Sequence, residues 1–368
     1  MVGPGHPEGM DLPAQVRRLA AEDLGLTEVR VRLDRLLRAA VGYDMAAVST
    51  LDPSTLLWTS CFVSGADAAG AADRERVLFD IEFRGTDVNG YRELAAAPVP
   101  VAGLHAATGG RISRAERHRE LLHDLGVSDE ARVMLRTRTG CWGSLTLYRT
   151  EPSPPFSPAE LALLAEISGP AADLFRLTLL RAALAAPGDL TGPPGLLLVG
   201  PSGQTRTVTD DARRWLATLD DRDRLPSAVR AVAAAVRGGD GLARAALPAR
   251  DGRWVVLHGS AAGDQTAVIV EGARPAVIGE VITRAYGLTP REREITELAA
   301  QGRTTRQMAA RLGLSPFTVQ DHLKATYAKI GVRSRAELVA ALYTRHYSPR
   351  AAGRPSPYGW YLDDAVVT

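Results

Sequence analysis

The chain has 368 residues, enough for two or three domains, and 45% of them are apolar, so each domain can bury a core. No apolar run is long enough to cross a membrane, and the first residues contain no apolar signal-peptide segment. The two cysteines, Cys61 and Cys141, exclude a disulfide framework and a cysteine-based zinc site. We therefore expect a reduced, cytoplasmic protein with no membrane partner, metal or other cofactor.

Several classes of enzyme are excluded by residues that the chain lacks. Lysine occurs only at positions 324 and 329, so the preceding residues contain no P-loop, Schiff-base or kinase strand lysine. The "GPSGQ" stretch at 200–204 does not have the spacing of a nucleophile elbow, and no H-E-x-x-H motif occurs. We therefore expect the chain not to be an enzyme.

Residues 20–185 alternate helical and strand patterns after a segment, 1–19, that is expected to be flexible. The stretches "DMAAVSTLD" and "LLWTSCFVS" are typical of strands, and a hairpin is expected with Gly140 in its turn. A long helix should follow, beginning at Ser157. This order resembles a GAF sensor domain, which implies an antiparallel sheet between helices and a last helix that leads out of the domain.

The middle of the chain is punctuated by proline and glycine. Residues 186–194 are expected to form a linker, and residues 195–272 resemble, more weakly, a PAS-type domain. Residues 273–286 are expected to form a connecting helix, and residues 348–368 an extended tail.

Four residues on the strands of the first domain are candidates for a ligand pocket: Trp58, Cys61, Phe62 and Trp142. The alternative is that they belong to the core, because aromatic residues in sheets usually pack.

Residues 287–347 contain four segments with helix-start and helix-stop signals. Thr289, Thr304, Ser315 and Ser334 stand at capping positions, and glycines follow the first three segments. This segment contains ten Lys/Arg and five Asp/Glu, which gives it a net charge of +5. The basic segment predicts a polyanionic partner.

The second and third of these helices, with the turn at 313–314, form a helix-turn-helix pattern. Helical spacing places Val319, Leu323 and Ile330 on one stripe of the third helix, facing the small core. The opposite face should present Phe317, Gln320, Asp321 and Lys324 to a DNA groove. Ser315 and Thr318, with the amides at the helix start, are candidates to hold a phosphate.

The stretches "LTPRERE", "QMAARLGLS", "TVQDHL" and "KIGVRSRAELV" resemble the DNA-binding domain of LuxR/NarL/FixJ-type transcription regulators. The resemblance covers residues 288–342. It implies that Gln320, Asp321 and Lys324 read the major groove, and that Thr318 and Lys329 contact phosphates. It also implies dimer contacts through the fourth helix.

Asp321 departs from this pattern, since relatives often carry a neutral residue there and a lysine in place of Gln320. An acid weakens attraction to every phosphate, but it can accept a hydrogen bond from cytosine N4, as Gln320 can bind adenine. The alternative is that Asp321 pairs with Arg306, Arg311 or Lys324 and only orients that cation. Both interpretations stay open at the level of sequence.

Together these patterns predict an α+β multi-domain chain. A GAF/PAS-like α/β sensor body precedes an all-α four-helix LuxR-type helix-turn-helix domain at residues 287–347. The predicted function is sequence-specific binding of double-stranded DNA by a transcription regulator, as a homodimer. A small-molecule ligand of the body and RNA polymerase are candidate partners. The alternatives are a ligand-free dimerisation scaffold, or a signalling enzyme with an appended DNA-binding domain.

Overall fold

The computed structural model describes residues 11–65, 71–186, 192–219, 225–239, 241–273 and 275–342, together with 354–355 and 361–362. Among these residues, no helix is both long and apolar enough to cross a bilayer. The helices are α1 (Leu12–Ala21), α2 (Leu26–Val41), α3 (Ala71–Arg84), α4 (Tyr91–Ala96), α5 (Leu104–Thr108), α6 (Pro158–Ala185), α7 (Asp210–Leu216), α8 (Ser227–Gly238), α9 (Pro275–Ala285), α10 (Pro290–Ala300), α11 (Thr305–Leu312), α12 (Pro316–Ile330) and α13 (Arg335–Leu342).

The strands of the body form two sheets. The first contains β1 (Met45–Leu51), β2 (Trp58–Ser64), β3 (Val101–Gly103), β4 (Val127–Thr137) and β5 (Gly140–Thr150); the second contains β6 (Gly195–Val199), β7 (Thr205–Val208), β8 (Leu242–Pro248), β9 (Trp254–Ala262) and β10 (Gln265–Gly272). Two further strands, β11 (Arg354–Pro355) and β12 (Tyr361–Leu362), pair with each other in the tail.

Both five-stranded sheets are antiparallel and share one topology. The first has the order β2-β1-β5-β4-β3 and the second the order β7-β6-β10-β9-β8. In each sheet, the strand that comes first along the chain pairs with the strand that comes last: β1 with β5, and β6 with β10. The fold is therefore mixed α+β, and the antiparallel sheet expected of the GAF-like domain is present.

Helix α6 organises the first core. Ser157 accepts a hydrogen bond from the amide of Glu160, and the Glu160 carboxylate accepts one from the amide of Ser157 (2.7 Å), which is a capping box. Behind this cap, Leu164, Ile167 and Phe175 pack on the sheet. The expected long helix is confirmed, and it runs 28 residues towards the second sheet.

The expected flexible segment 1–19 needs correction within the described residues. Asp11 caps helix α1 by accepting from the amide of Ala14 (3.0 Å). Leu12 and Val16 are buried in the core that contains α6. An acid at the capping position, followed by apolar residues one helical turn apart, favours a helix with one buried side.

A buried ionic cluster lies on the other side of the first sheet. Arg117 donates to Asp87 and to Glu130 (2.8 Å each), and Arg132 donates to Glu82 (3.0 Å) and to Glu130. Although burial opposes ionisation, the two guanidinium groups keep the pKa of Glu130 below its ordinary value. Two arginines thus share one buried carboxylate and tie the 87–89 loop to strand β4.

Candidate nucleic-acid interface and ligand cavity

The start of helix α12 follows from its first residues. Ser315 accepts a hydrogen bond from the amide of Thr318 (3.1 Å), and the two hydroxyl groups lie 2.9 Å apart. Pro316 occupies the first helical position. Gly313, with a φ of +64°, ends α11 in the left-handed conformation that the turn requires. These residues set the direction in which α12 leaves α11.

Helix α12 has one buried side and one exposed side. Val319, Leu323 and Ile330 pack in a small core with Ile295 of α10 and Met308 of α11. The exposed residues include all four that were expected on the groove side, with Phe317 at 78% exposure: Phe317, Gln320, Asp321 and Lys324. Among the described residues, Phe317 is the most exposed of the large apolar side chains.

Of the pairings considered for Asp321, the structure contains the one with Lys324. The carboxylate Oδ1 and the ammonium Nζ are 3.9 Å apart, and both side chains are more than three-quarters exposed. An exposed pair at this distance is held weakly, because water screens it. Both groups therefore remain accessible to a partner.

Lys329 has a partner that the sequence did not reveal. Its ammonium group donates to both carboxylate oxygens of Glu292, at 2.6 and 2.9 Å. That carboxylate also accepts from the amide of Thr289 (2.7 Å) at the start of α10. Burial of Glu292 works against ionisation, but hydrogen bonds from Lys329 and Thr289 keep its pKa below the ordinary value. Lys329 therefore joins the end of α12 to the start of α10.

A cavity of about 210 Å³ lies in the body between strands β1 and β2, helix α3 and the segment 121–125. Trp58 forms one side, with its ring 4.9 Å from that of Phe79 and 4.8 Å from that of Tyr91. Burial raises the pKa of Tyr91 to about 12, so its hydroxyl stays neutral and bonded to Thr146. Most of the side chains that line this part of the cavity are aromatic or aliphatic.

One edge of this cavity is polar and belongs in part to the second sheet's unit. Arg230, on α8, donates to Glu75 on α3 (2.8 Å), and both residues line the cavity. A second ion pair, between Arg237 and Asp80 (2.6 Å), joins the same two helices. Helix α3 therefore contacts both the cavity and the second unit, and Glu75 takes part in both contacts.

The four pocket candidates fall on two faces of the sheet. Trp58 and Cys61 line the cavity. Phe62 and Trp142 instead pack in the core on the α6 side, where Trp142 is fully buried. The structure does not bring these two pairs together. Cys61 and Phe62 are successive strand residues and point to opposite faces, whereas a bulge in the β1–β2 ladder, where Thr50 pairs with Ser60 and Leu51 with Trp58, puts Trp58 on the same face as Cys61.

Comparison with known proteins bears on the C-terminal domain. Residues 287–342 match the family described as bacterial regulatory proteins, luxR family. The spore germination protein GerE of Bacillus subtilis is 42% identical over 55 residues, which are 15% of this chain and 74% of GerE.

The chain belongs to the LuxR family of bacterial regulatory proteins. Its residues 287–342 form a LuxR-type DNA-binding domain with α10–α13 as its four helices.

Other relatives of this LuxR-family chain match over segments of similar length. A putative HTH-type transcriptional regulator of Mycobacterium tuberculosis is 47% identical over 57 residues, 15% of this chain and 6% of that protein. The transcriptional regulatory protein UhpA of Escherichia coli is 43% identical over 56 residues, 15% of this chain and 29% of UhpA. The chain thus spans about 6% of the length of the mycobacterial relative.

Solved structures resemble the chain distantly. Escherichia coli SdiA has a TM-score of 0.34 and 13% identity, covering 91% of this chain and 96% of that one. The GAF domain/HD domain protein from Geobacter sulfurreducens has a TM-score of 0.26 and 21% identity, covering 40% of this chain and 91% of that one.

Proposed function

We propose that this LuxR-family chain is a transcription regulator that reads DNA with helix α12 and binds a small molecule in its body. The observation that carries the first part is the division of α12 between a buried apolar stripe and an exposed polar face. A helix held at its back by a small core, with its polar face exposed from its first turn, fits the major groove.

Each exposed residue has a role in this proposal. Gln320 and Asp321 contact adenine and cytosine edges, and Lys324 contacts guanine. Ser315, Thr318 and the first amides of α12 hold a phosphate, since a helix start carries partial positive charge. Phe317 packs against a thymine methyl group or the sugar of an adjacent nucleotide.

We assign Lys329 a positioning role, because its ammonium group already lies against Glu292. Its contact with phosphate, implied by the resemblance, stays a prediction. DNA sites of this kind are read by paired domains, so we propose a homodimer on two half-sites. RNA polymerase remains a candidate partner of the bound dimer.

The aromatic cavity supports the small-molecule part of the proposal over the ligand-free scaffold. A bound molecule would touch α3, whose two ion pairs to α8 connect it with the second unit. A ligand that fits one arrangement of these helices better than another shifts the balance between the two. The proposed domains are the GAF-like unit 20–185, the PAS-like unit 195–272 and the DNA-binding domain 287–347.

Selection from a randomised duplex pool tests the DNA-reading face. The full chain should enrich a half-site motif, and Lys324→Ala should weaken binding to it by about 1–3 kcal/mol and relax one base position. Arg206→Ala, on the exposed edge strand β7, is the matched control and should enrich the unchanged motif. Equal affinity and equal motifs for Lys324→Ala and the control would refute the assignment of α12.

A further inference from the structure

A second cleft, of about 500 Å³, lies where the body meets the DNA-binding domain. It is bounded by α4, the β4–β5 hairpin, α9 and the start of α10. Its lining includes five arginines: Arg92, Arg136, Arg138, Arg284 and Arg293. Among the described residues that line it, none is acidic.

Neutral carbonyl groups position several of these guanidinium groups. Arg136 donates to the carbonyl oxygens of Ala95 and Pro98 at 2.8 Å each. Arg293 donates to the carbonyl of Leu288 at 3.0 Å. Such contacts fix the position of a positive charge without neutralising it.

Arg284 lies between the hairpin and the DNA-binding domain. It donates weakly to the carbonyl of Thr139 (3.5 Å) and lies 3.4 Å from the carboxylate of Glu280. Glu294 and Glu297 also act on Arg293, so the five arginines stand against three acids around the cleft and remain in excess.

The electrostatic cost of this arrangement is visible at Arg293. Burial lowers its pKa and the neighbouring charge of Arg284 lowers it further, and together they outweigh the opposite effect of Glu280, Glu297 and Glu294. Like charges held together in a partly buried site repel each other, and a bound anion would remove that repulsion.

We propose that this cleft binds a small anion with two or more phosphoryl groups. Guanidinium groups match phosphate oxygens with paired hydrogen bonds, and several of them around one cleft favour a ligand with more than one phosphate. The volume is that of a small-molecule site.

The position of the cleft gives its ligand a regulatory consequence. Arg136 and Arg138 belong to the hairpin of the first sheet, while Arg284 and Arg293 lie on α9 and α10. A bound anion therefore joins the body to the DNA-binding domain. Any effect of the anion on DNA affinity must be matched by an equal effect of DNA on anion affinity.

Isothermal titration of the full chain with sodium tripolyphosphate in about 0.15 M NaCl tests the proposal, since exposed charges are largely screened at that ionic strength. We expect saturable binding of one anion per chain. Arg92→Glu and Arg138→Glu alter exposed side chains, and each should weaken binding by about tenfold or more. Arg206→Glu, which makes the same charge change on β7, should bind as the unaltered chain does.

The same variants show whether the cleft binds a small anion or the phosphates of DNA. Affinity for a selected duplex is measured for each, and Lys324→Ala should keep its tripolyphosphate binding even where DNA binding is lost. Absence of saturable tripolyphosphate binding, or equal affinity in Arg138→Glu and Arg206→Glu, overturns the proposal. Loss of duplex affinity alone in the cleft variants would also overturn it, and would assign the cleft to the DNA backbone.

Discussion

Replacing Lys329 with methionine separates the two roles of this residue. The methionine keeps most of the apolar side chain and removes the ammonium group that donates twice to Glu292. The carboxylate is buried, with a side-chain exposure of 6%, whereas Lys329 is about one-third exposed (35%). A hydrogen bond to a buried charge contributes about 1.5–3 kcal/mol, and exposure reduces this, so we expect a loss of about 1–2 kcal/mol.

That loss should appear as local opening of the DNA-binding domain. Hydrogen exchange followed by mass spectrometry on the full chain should show faster exchange in peptides from α10 and the end of α12. The increase should be about 5- to 30-fold, because 1–2 kcal/mol changes an opening equilibrium by that factor. Lys324→Met is the matched control: its side chain is 76% exposed, and exchange in α10 should not change.

DNA titrations over a range of salt concentrations complete this test. The salt slope is the slope of the logarithm of DNA affinity against the logarithm of salt concentration. If Lys329 contacts a phosphate directly, Lys329→Met makes this slope shallower by about one and leaves hydrogen exchange unchanged. That pair of results would refute the positioning role. If Lys329 acts by holding Glu292, exchange rises and that slope stays the same.

Three further predictions concern other parts of the molecule. Asp321→Ala should change base preference at one position in a randomised pool; an unchanged preference would mean that the carboxylate only pairs with Lys324. Glu130→Gln should destabilise the body by about 3–5 kcal/mol in denaturant titrations, because two buried guanidinium groups lose their shared carboxylate; a loss below about 1 kcal/mol would contradict this account. Cys141 should resist iodoacetamide at pH 8 while the half-buried Cys61 reacts, because burial raises the pKa of Cys141 to about 12; equal labelling in the native chain would contradict the assignment.

The depressed pKa of Glu130 also predicts how stability depends on pH. A carboxyl group whose pKa is lower in the folded state stabilises that state above its unfolded pKa of about 4.3. This stability is lost as the pH falls through the folded value. Below about pH 4, the Glu130→Gln variant should therefore lose stability less steeply than the unaltered chain. Parallel curves of stability against pH would mean that Glu130 has the same pKa in the folded and unfolded states.

The boundaries of the DNA-binding helices could be predicted from the sequence because they depend on neighbouring residues. Thr289, Thr304 and Ser315 each cap the helix that follows, as their spacing to the next turn indicated. The exposed and buried sides of α12 also followed from its period. Local chemistry was sufficient for each of these.

Other features depend on contacts between distant parts of the chain. The sequence placed Phe62 beside Cys61, but neighbouring strand residues face opposite sides, and the cavity side depends on where α3 packs. Glu75 meets Arg230 across 155 positions, and Glu292 meets Lys329 across 37. No local signal identifies the acid that pairs with Arg230 or with Lys329, so only the folded chain shows these two pairs.

Helix α9 holds the DNA-binding domain close to the body. Val281, Ile282 and Ala285 are buried in the same core as α6, and Arg176 of α6 donates to the carbonyl of Ala285. Tyr286 touches this core as well as that of the DNA-binding domain, and α10 begins four residues later. In the proposed homodimer, the angle between the two recognition helices would therefore depend on how the two bodies dock, and not on the length of a flexible linker.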